Sequence, residues 1–392
     1  MKKGAKKLHP KRKVAEGSIP SVALFIETGT SWGRRVISGV LAYAKQHGPW
    51  HIHVEPCGPD EPIHVPRHWK GDGIIARISS QSIARKLQAT LAPIVNVSAI
   101  NLPGTEFYRV MTSPSSTSRI AVEVFQSRGF RNFGYVGDLG KGYVQEQFRS
   151  FKTLLGKTGH TTSFFNSRNN KDAMIRWLKS LPKPVGVFCW GPIVGREVID
   201  CCLTAGIHVP HDVAVLGGDY DEIFSDASYP AQSGIKLSAE QIGMTAAAVL
   251  HQIISESPPI RTEWVIEPMG VIEKLSTDTL AVDDKRMAAV MQYIMDHSHE
   301  PILVKDILLH FPMARRSLER NFRRHFRCTL ADQIRRVRVN QSRLLLGGGE
   351  EPITLIAEKC GFSSYNYMGR VFKDATGLTP REYRLRALRG KP

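Results

Sequence analysis

Near the end of the chain stands Cys360-Gly361-Phe362-Ser363-Ser364-Tyr365-Asn366-Tyr367-Met368-Gly369-Arg370-Val371-Phe372-Lys373. These side chains suit hydrogen bonding to flat polar edges beside a polyanion. Ser363 or Ser364 is placed to cap a helix, because a side-chain oxygen there accepts from the free N–H groups of the first turn. Tyr365 and Asn366 then fall in that exposed turn, and an Asn amide can pair bidentately with adenine. Arg370 and Lys373 follow where cations reach phosphate. Met368 and Phe372 recur at helical spacing and would pin the helix to a support. A helix, a sharp turn and a second helix of this kind put side chains into the major groove of DNA.

Half of the pattern occurs earlier in the chain. Leu318-x-Arg320-x-Phe322 recurs as Met368-x-Arg370-x-Phe372, with Arg323 matching Lys373 and Thr329 matching Thr379. In this first copy the exposed turn holds Arg315 and Arg316, which suit guanine or phosphate. Ten arginines lie between 315 and 343, opposed only by Glu319 and Asp332. A helix predicted over 330–346, stopped by Gly347-Gly348-Gly349, would be roughly 26 Å long at ~1.5 Å per residue. With its flanking turns it could hold two recognition helices about one DNA turn apart, ~34 Å.

Other chemistries lack their residues. His53-Val54-Glu55-Pro56-Cys57 holds fragments of a zinc deaminase signature, but they are fused and the second Cys is missing. No phosphate-binding loop occurs. The six cysteines (57, 189, 201, 202, 328 and 360) show neither metal nor disulfide spacing. We therefore expect no catalytic residue, metal or cofactor, and no enzyme activity.

The charge fits a DNA partner. The 392 residues carry a formal net charge of +17, which favours nucleic acid. Residues 1–20 hold seven Lys/Arg against one acid, residues 21–282 hold twenty-five against twenty-three, and residues 283–392 hold twenty-one against twelve. The ends are basic and the middle is nearly neutral. Residues 1–20 are Lys-rich and aperiodic, predicting a disordered tail. No apolar run approaches the ~20 residues of a membrane span, and 22–26 is too short for a signal peptide. The expectation is a soluble, reduced, cytoplasmic protein.

The elements that must position these residues divide the chain. From 21 to about 277, short β-branched runs alternate with helical ones, which requires crossovers and hence mainly parallel sheets covered on both faces. Strands are predicted at 22–26, 51–55, 73–76 and 93–97, and after a helix near 115–128 the alternation restarts at 132–137. Strands at 162–165, 185–190 and 213–217 follow, then a helix over 239–255 and one strand near 264–271. Two α/β lobes are implied, with a small-molecule site between them beyond the strands' C-terminal ends. After a linker at 278–284, residues 285–388 show helical periodicity only.

Residues 285–388 resemble the AraC/XylS-type regulator domain with its paired helix-turn-helix units. Ile356-Ala357, Gly361-Phe362-Ser363, Phe372-Lys373, Gly377, Thr379-Pro380 and Tyr383-Arg384 carry the resemblance. The first unit departs from it at Leu308, Pro312 and Ala314, and a missing cap there costs about 1 kcal/mol. Residues 21–277 resemble the periplasmic-binding-protein-like effector domain of LacI/GalR regulators, on Ser127-Arg128-Gly129-Phe130-Arg131-Asn132-Phe133-Gly134-Tyr135-Val136-Gly137 and on 205–219. The resemblance implies a transcription regulator, an activator, acting as a homodimer on double-stranded operator DNA and contacting RNA polymerase. It also implies a sugar effector such as xylose or a related compound. The DNA-binding candidates are Arg315, Arg316, Arg320, Arg323, Ser364, Tyr365, Asn366, Arg370 and Lys373. The ligand candidates are Trp32, Arg34, Gln147, Trp190 and Asp219. Gln147 stands where that family has Arg and Ser113 where it has a carboxylate, so a different ligand or pose is expected. With a degenerate pocket, the chain would instead be a ligand-independent or architectural DNA binder.

Overall fold

The computed structural model describes residues 18–58, 61, 64, 69–100, 102–255, 257–282, 284–326 and 328–388. Apart from 18–20, the predicted basic tail lies outside the described residues.

The first lobe opens with β1 (Ser21–Phe25), α1 (Ser31–His47), β2 (His51–Val54), β3 (Gly73–Ala76), α2 (Gln81–Gln88), β4 (Ile94–Asn96) and β5 (Tyr108–Met111). The second contains α3 (Pro114–Ser127), β6 (Asn132–Gly137), α4 (Gly142–Gly156), β7 (Thr162–Asn166), α5 (Lys171–Ser180), β8 (Val185–Cys189), α6 (Pro192–Thr204), β9 (Val213–Gly217), α7 (Glu222–Asp226) and β10 (Ser233–Lys236). α8 (Ala239–Ile254) and β11 (Glu263–Val265) return to the first lobe, and β12 (Gly270–Ile272) to the second. The sheets run β11-β5-β4-β3-β1-β2 and β12-β10-β9-β8-β6-β7. Both are parallel except for the antiparallel β10–β12 pair.

Strands such as Val22–Phe25 read as unbroken apolar runs because helices cover both sheet faces. In the first lobe α1 and α8 cross at backbone contact. A Cβ on Gly39 would stand 2.0 Å from Glu240 O, and one on Gly243 would stand 1.9 Å from Val36 O, so only glycine fits either position.

The chain passes between the lobes after β5, after β10 and after β11. The last passage corrects the single strand predicted over 264–271. Ile266 N–H continues the first sheet by donating to Met111 O, whereas Met269 N–H donates to Lys236 O in the second. Pro268, with no N–H to give a ladder, stands between them. β10 escaped prediction because its Ser233-Gly234-Ile235-Lys236 has little apolar signal.

The C-terminal region is helical: α9 (Lys285–Asp296), α10 (Val304–His310), α11 (Arg315–Phe326), α12 (Leu330–Gly348), α13 (Ile353–Lys359), α14 (Tyr365–Thr376) and α15 (Pro380–Leu388). It holds two cores. Val290, Ile294, Ile307, Leu318, Phe322 and Phe326 form the first. Ile356, Ala357, Phe362, Met368, Phe372 and Tyr383 form the second. α12 serves both, giving Leu330 and Ile334 to one and Val339 and Leu346 to the other.

The repeat has a structural meaning beyond its apolar positions. Thr329 and Asp332 form a capping box on α12, and Thr379 and Glu382 exchange the same pair of bonds at the start of α15. α12 runs two residues past its predicted end, through Gly348. Leu346 is fully buried and Gly347 packs on Met269, so tertiary contact holds this last turn despite its glycines. The segment predicted as a linker is docked: Ala281 N–H donates to Arg128 O, Leu280 and Val282 pack on the first helical core, and Asp284 caps α9.

Candidate ligand cleft and nucleic-acid interface

Between the lobes, beyond the C-terminal ends of the parallel strands, lies a cavity of about 410 Å³. Trp32 comes from the first turn of α1, Arg77 from the residue after β3, Tyr143 from the start of α4, and Trp190 from the residue after β8; all four line it. Their contacts form a chain across the gap. The Arg77 guanidinium stands 5.3 Å from the Trp32 ring centre and 5.5 Å from that of Tyr143. Tyr143 meets Trp190 edge-on at 5.6 Å, and the Lys141 ammonium lies 5.5 Å from the Trp190 ring. Burial opposes the Arg77 charge, but Glu27 at 2.6 Å and Tyr143 more than offset it, raising its pKa.

Of the five predicted ligand residues, Trp32, Gln147, Trp190 and Asp219 line this cavity and Arg34 does not. Arg34 is exposed and turns back to donate to Thr28 O at 2.8 Å. The correction follows from helix phase: one residue on, Arg35 faces the second lobe, 3.5 Å from Asp219, and donates to Tyr220 O and Glu222. Burial pushes the Asp219 carboxyl up to about 7 in spite of Arg35. Asp221 also spans the gap, accepting from Ser31 N–H, and its hydrogen bonds hold its pKa below the ordinary value against burial. Gln147 is 9% exposed and already engaged, accepting from Tyr135 Oη at 2.7 Å and donating to Thr117 Oγ1 at 2.9 Å. Sequence reasoning missed Arg77, Tyr143, Lys141 and Arg35. The first three each follow a parallel strand, a position from which they could have been found.

In the helical region α14 presents the second motif as expected. Ser364 caps it by accepting from Tyr367 N–H at 3.2 Å, and Gly377 closes it at φ 75°. Ser364, Tyr365, Asn366, Arg370 and Lys373 are all exposed, while Met368 and Phe372 are fully buried. On α11, Arg315, Arg316, Arg320 and Arg323 are exposed opposite Leu318, Phe322 and Phe326, with Arg315 paired to Glu319. The two arginine- and amide-bearing faces are therefore open to solvent at either end of α12.

The metal-like fragment does not assemble. His53 and Glu55 pair with each other at 3.5 Å, and no group of three potential ligands comes together among the described residues. No helix among them is long and apolar enough to cross a membrane.

Residues 122–277 match a periplasmic binding protein-like domain, and residues 309–386 match a helix-turn-helix domain. Together these define the class: a DNA-binding transcription regulator of the AraC type with a periplasmic-binding-protein-like domain ahead of its helix-turn-helix units. Within that class the chain is similar to the xylose operon regulatory protein of Escherichia coli strain K12, 26% identical over 380 residues that cover 93% of this chain and 96% of that one. It is 26% identical to the corresponding Haemophilus influenzae protein over 93% of this chain and 98% of that one. The solved structure of a xylose-binding transcription activator aligns at a TM-score of 0.61 and 25% identity, over 94% of this chain and 98% of that one. A LacI family regulator from Arthrobacter, solved with lactose, shares the fold at a TM-score of 0.55 and 18% identity, over 67% of this chain and all of that one.

Proposed function

We propose that the chain is a sugar-responsive transcription regulator whose effector binds between Trp32, Tyr143, Trp190 and Asp219. The observation that carries the reading is the position of the third interlobe passage, residues 266–270. On one side Glu267 gathers the other two passages: its carboxylate accepts from Ser116 Oγ at 3.0 Å, and its carbonyl accepts from Ser238 Oγ at 2.7 Å. On the other side Met269 O accepts from Tyr383 Oη of α15 at 3.5 Å, and Gly270 packs on Leu344 of α12. A ligand that alters lobe closure moves the segment against which the second reader is mounted. Only a ligand with different affinity for the two closures can shift that balance.

In this reading Arg315, Arg316, Arg320, Arg323, Ser364, Tyr365, Asn366, Arg370 and Lys373 contact operator DNA. The protein acts in the cytoplasm as a homodimer and activates through RNA polymerase. Aromatic faces take the C–H side of a sugar ring. The committed Gln147 amide and the Arg35-bound Asp219 favour a compound related to xylose over xylose in the relatives' pose. Thermal unfolding with pentoses, hexoses and sugar acids tests this, because a ligand that binds the folded form must raise the midpoint with concentration. A flat response to all of them contradicts effector control. The engagement of both polar groups by protein partners also favours a second reading, a DNA binder without an effector. Footprints unaltered by every saccharide, on the same paired half-sites, are what that reading requires.

A further inference from the structure

The two helix-turn-helix units are gripped together at one point of α12. Arg338 is 5% exposed. Its Nε donates to Ser298 O at 3.3 Å, and its Nη2 donates to Glu300 O at 2.7 Å and to Ile302 O at 3.0 Å. These carbonyls belong to the loop between α9 and α10, in the first unit. The same guanidinium lies 5.9 Å from the ring centre of Phe362, in the turn of the second unit. Its planar fork suits several carbonyls at once, which a lysine ammonium on a single stem does not reproduce.

Two further contacts close on the same loop. Gln341 of α12 donates to Ser298 Oγ at 3.1 Å. Gly361, in the second unit's turn at φ 69°, is so close that a Cβ there would stand 2.4 Å from Glu300 O and 2.6 Å from Ser298 O. The 298–302 loop of one unit is thus held beneath the turn of the other, with α12 as the third wall. None of these contacts involves the exposed first turns of α11 or α14.

We infer that Arg338 is a positioning residue: by clamping the first unit's 298–302 loop under the second unit's turn, it fixes the distance and rotation between the readers, and so selects the half-site spacing the protein accepts. This rests on the reading of the chain as carrying two DNA readers. One inserted base pair moves a half-site by about 3.4 Å along the duplex and roughly 35° around it. A rigid pair of readers cannot follow that displacement, whereas a hinged pair can.

Duplexes selected by the full-length protein from a random library would be remade with one, two or five base pairs inserted between the half-sites. Affinity would then be read by fluorescence anisotropy. For the wild type, one inserted pair is expected to weaken binding about tenfold or more, the scale of one lost bidentate base contact. In Arg338→Met the same insertion should change affinity less than about threefold, with binding to a lone second half-site kept within about twofold. A role confined to packing would instead weaken all duplexes alike and leave the spacing profile steep. Arg338→Lys, which keeps the charge and stem, should also flatten the profile, and it carries the test if Arg338→Met loses its helical circular dichroism. A flat wild-type profile on paired half-sites overturns the rigid spacing. Either folded variant retaining the steep profile overturns the role of Arg338. Selection that yields no paired half-sites overturns the two-reader reading itself.

Discussion

Asp219→Asn gives the sharpest test of the cleft's electrostatics. The Asp219 side chain is 14% exposed, and burial pushes its pKa up to about 7; Arg35 and the Tyr220 N–H pull against that rise, while Asp221 and Glu222 add to it. In an unfolded chain the same group titrates near ~3.9. Between those values the folded protein holds more protons than the unfolded one, so this group lowers stability as pH rises from about 4 to 7. The full penalty, present above pH 7, is about 4 kcal/mol at ~1.36 kcal/mol per pH unit. The pull of Arg35 is already contained in that raised pKa. Asparagine keeps the shape and removes the charge but buries an amide NH2 where a carboxylate oxygen stood, an offset of about 2 kcal/mol at either pH for an unmet donor. Arg35 retains Glu222 and the Tyr220 carbonyl. The net expectation at pH 8 is a gain of about 2 kcal/mol, which raises the melting midpoint by about 4–8 °C for a unit of this size. At pH 5 the carboxyl is already protonated, and the midpoint should stay level or fall slightly. Thermal unfolding of both proteins at the two pH values is the assay. A variant less stable than the wild type at pH 8, or an equal difference at both, would refute the account of Asp219 as a buried charge held against its preference.

Three further outcomes follow from the readers. Ser364→Ala removes the cap on α14 and should cost about 1 kcal/mol in denaturant unfolding. Phe372→Ala empties a fully buried site and should cost about 3–5 kcal/mol, seen as early loss of the second unit in hydrogen exchange. Asn366→Ala should relax sequence preference in a binding-site selection, whereas Arg323→Ala should weaken all sequences evenly and reduce the salt slope by about 1. Equal losses on every sequence from both changes would show that the two residues do not divide base from backbone contact.

Much of this was legible in the sequence because local chemistry decided it. The Ser364 cap, the Gly377 stop and the Leu318/Phe322 and Met368/Phe372 stripes depend on neighbours within a few positions, and helical phase alone places Arg320 and Arg370 outward. What escaped depended on partners far along the chain. Arg34 and Arg35 are equally plausible after β1, and only the approach of the second lobe's Asp219 distinguishes them. β11 and β12 read as one run because Pro268 interrupts a ladder whose two partners, Met111 and Lys236, lie in different sheets. Gly347 and Gly348 look like a stop in isolation, and contact with Met269 carries the helix through them. Arg77 stood at a strand end where ligand residues gather, yet its meeting with Trp32 and Tyr143 needs both lobes in place.

On this reading, occupancy of the cleft changes how the paired readers hold DNA, a coupling between the two sites. Its most direct measurement is the affinity of the full-length protein for a selected paired-half-site duplex, titrated with a panel of pentoses, hexoses and sugar acids, beside Trp190→Ala. At least one saccharide should change that affinity about fivefold or more. Trp190→Ala, which strips an aromatic wall from the cleft, should abolish the response while binding DNA normally without ligand. An affinity unmoved by every saccharide, or a response that survives loss of Trp190 unchanged, would contradict the account.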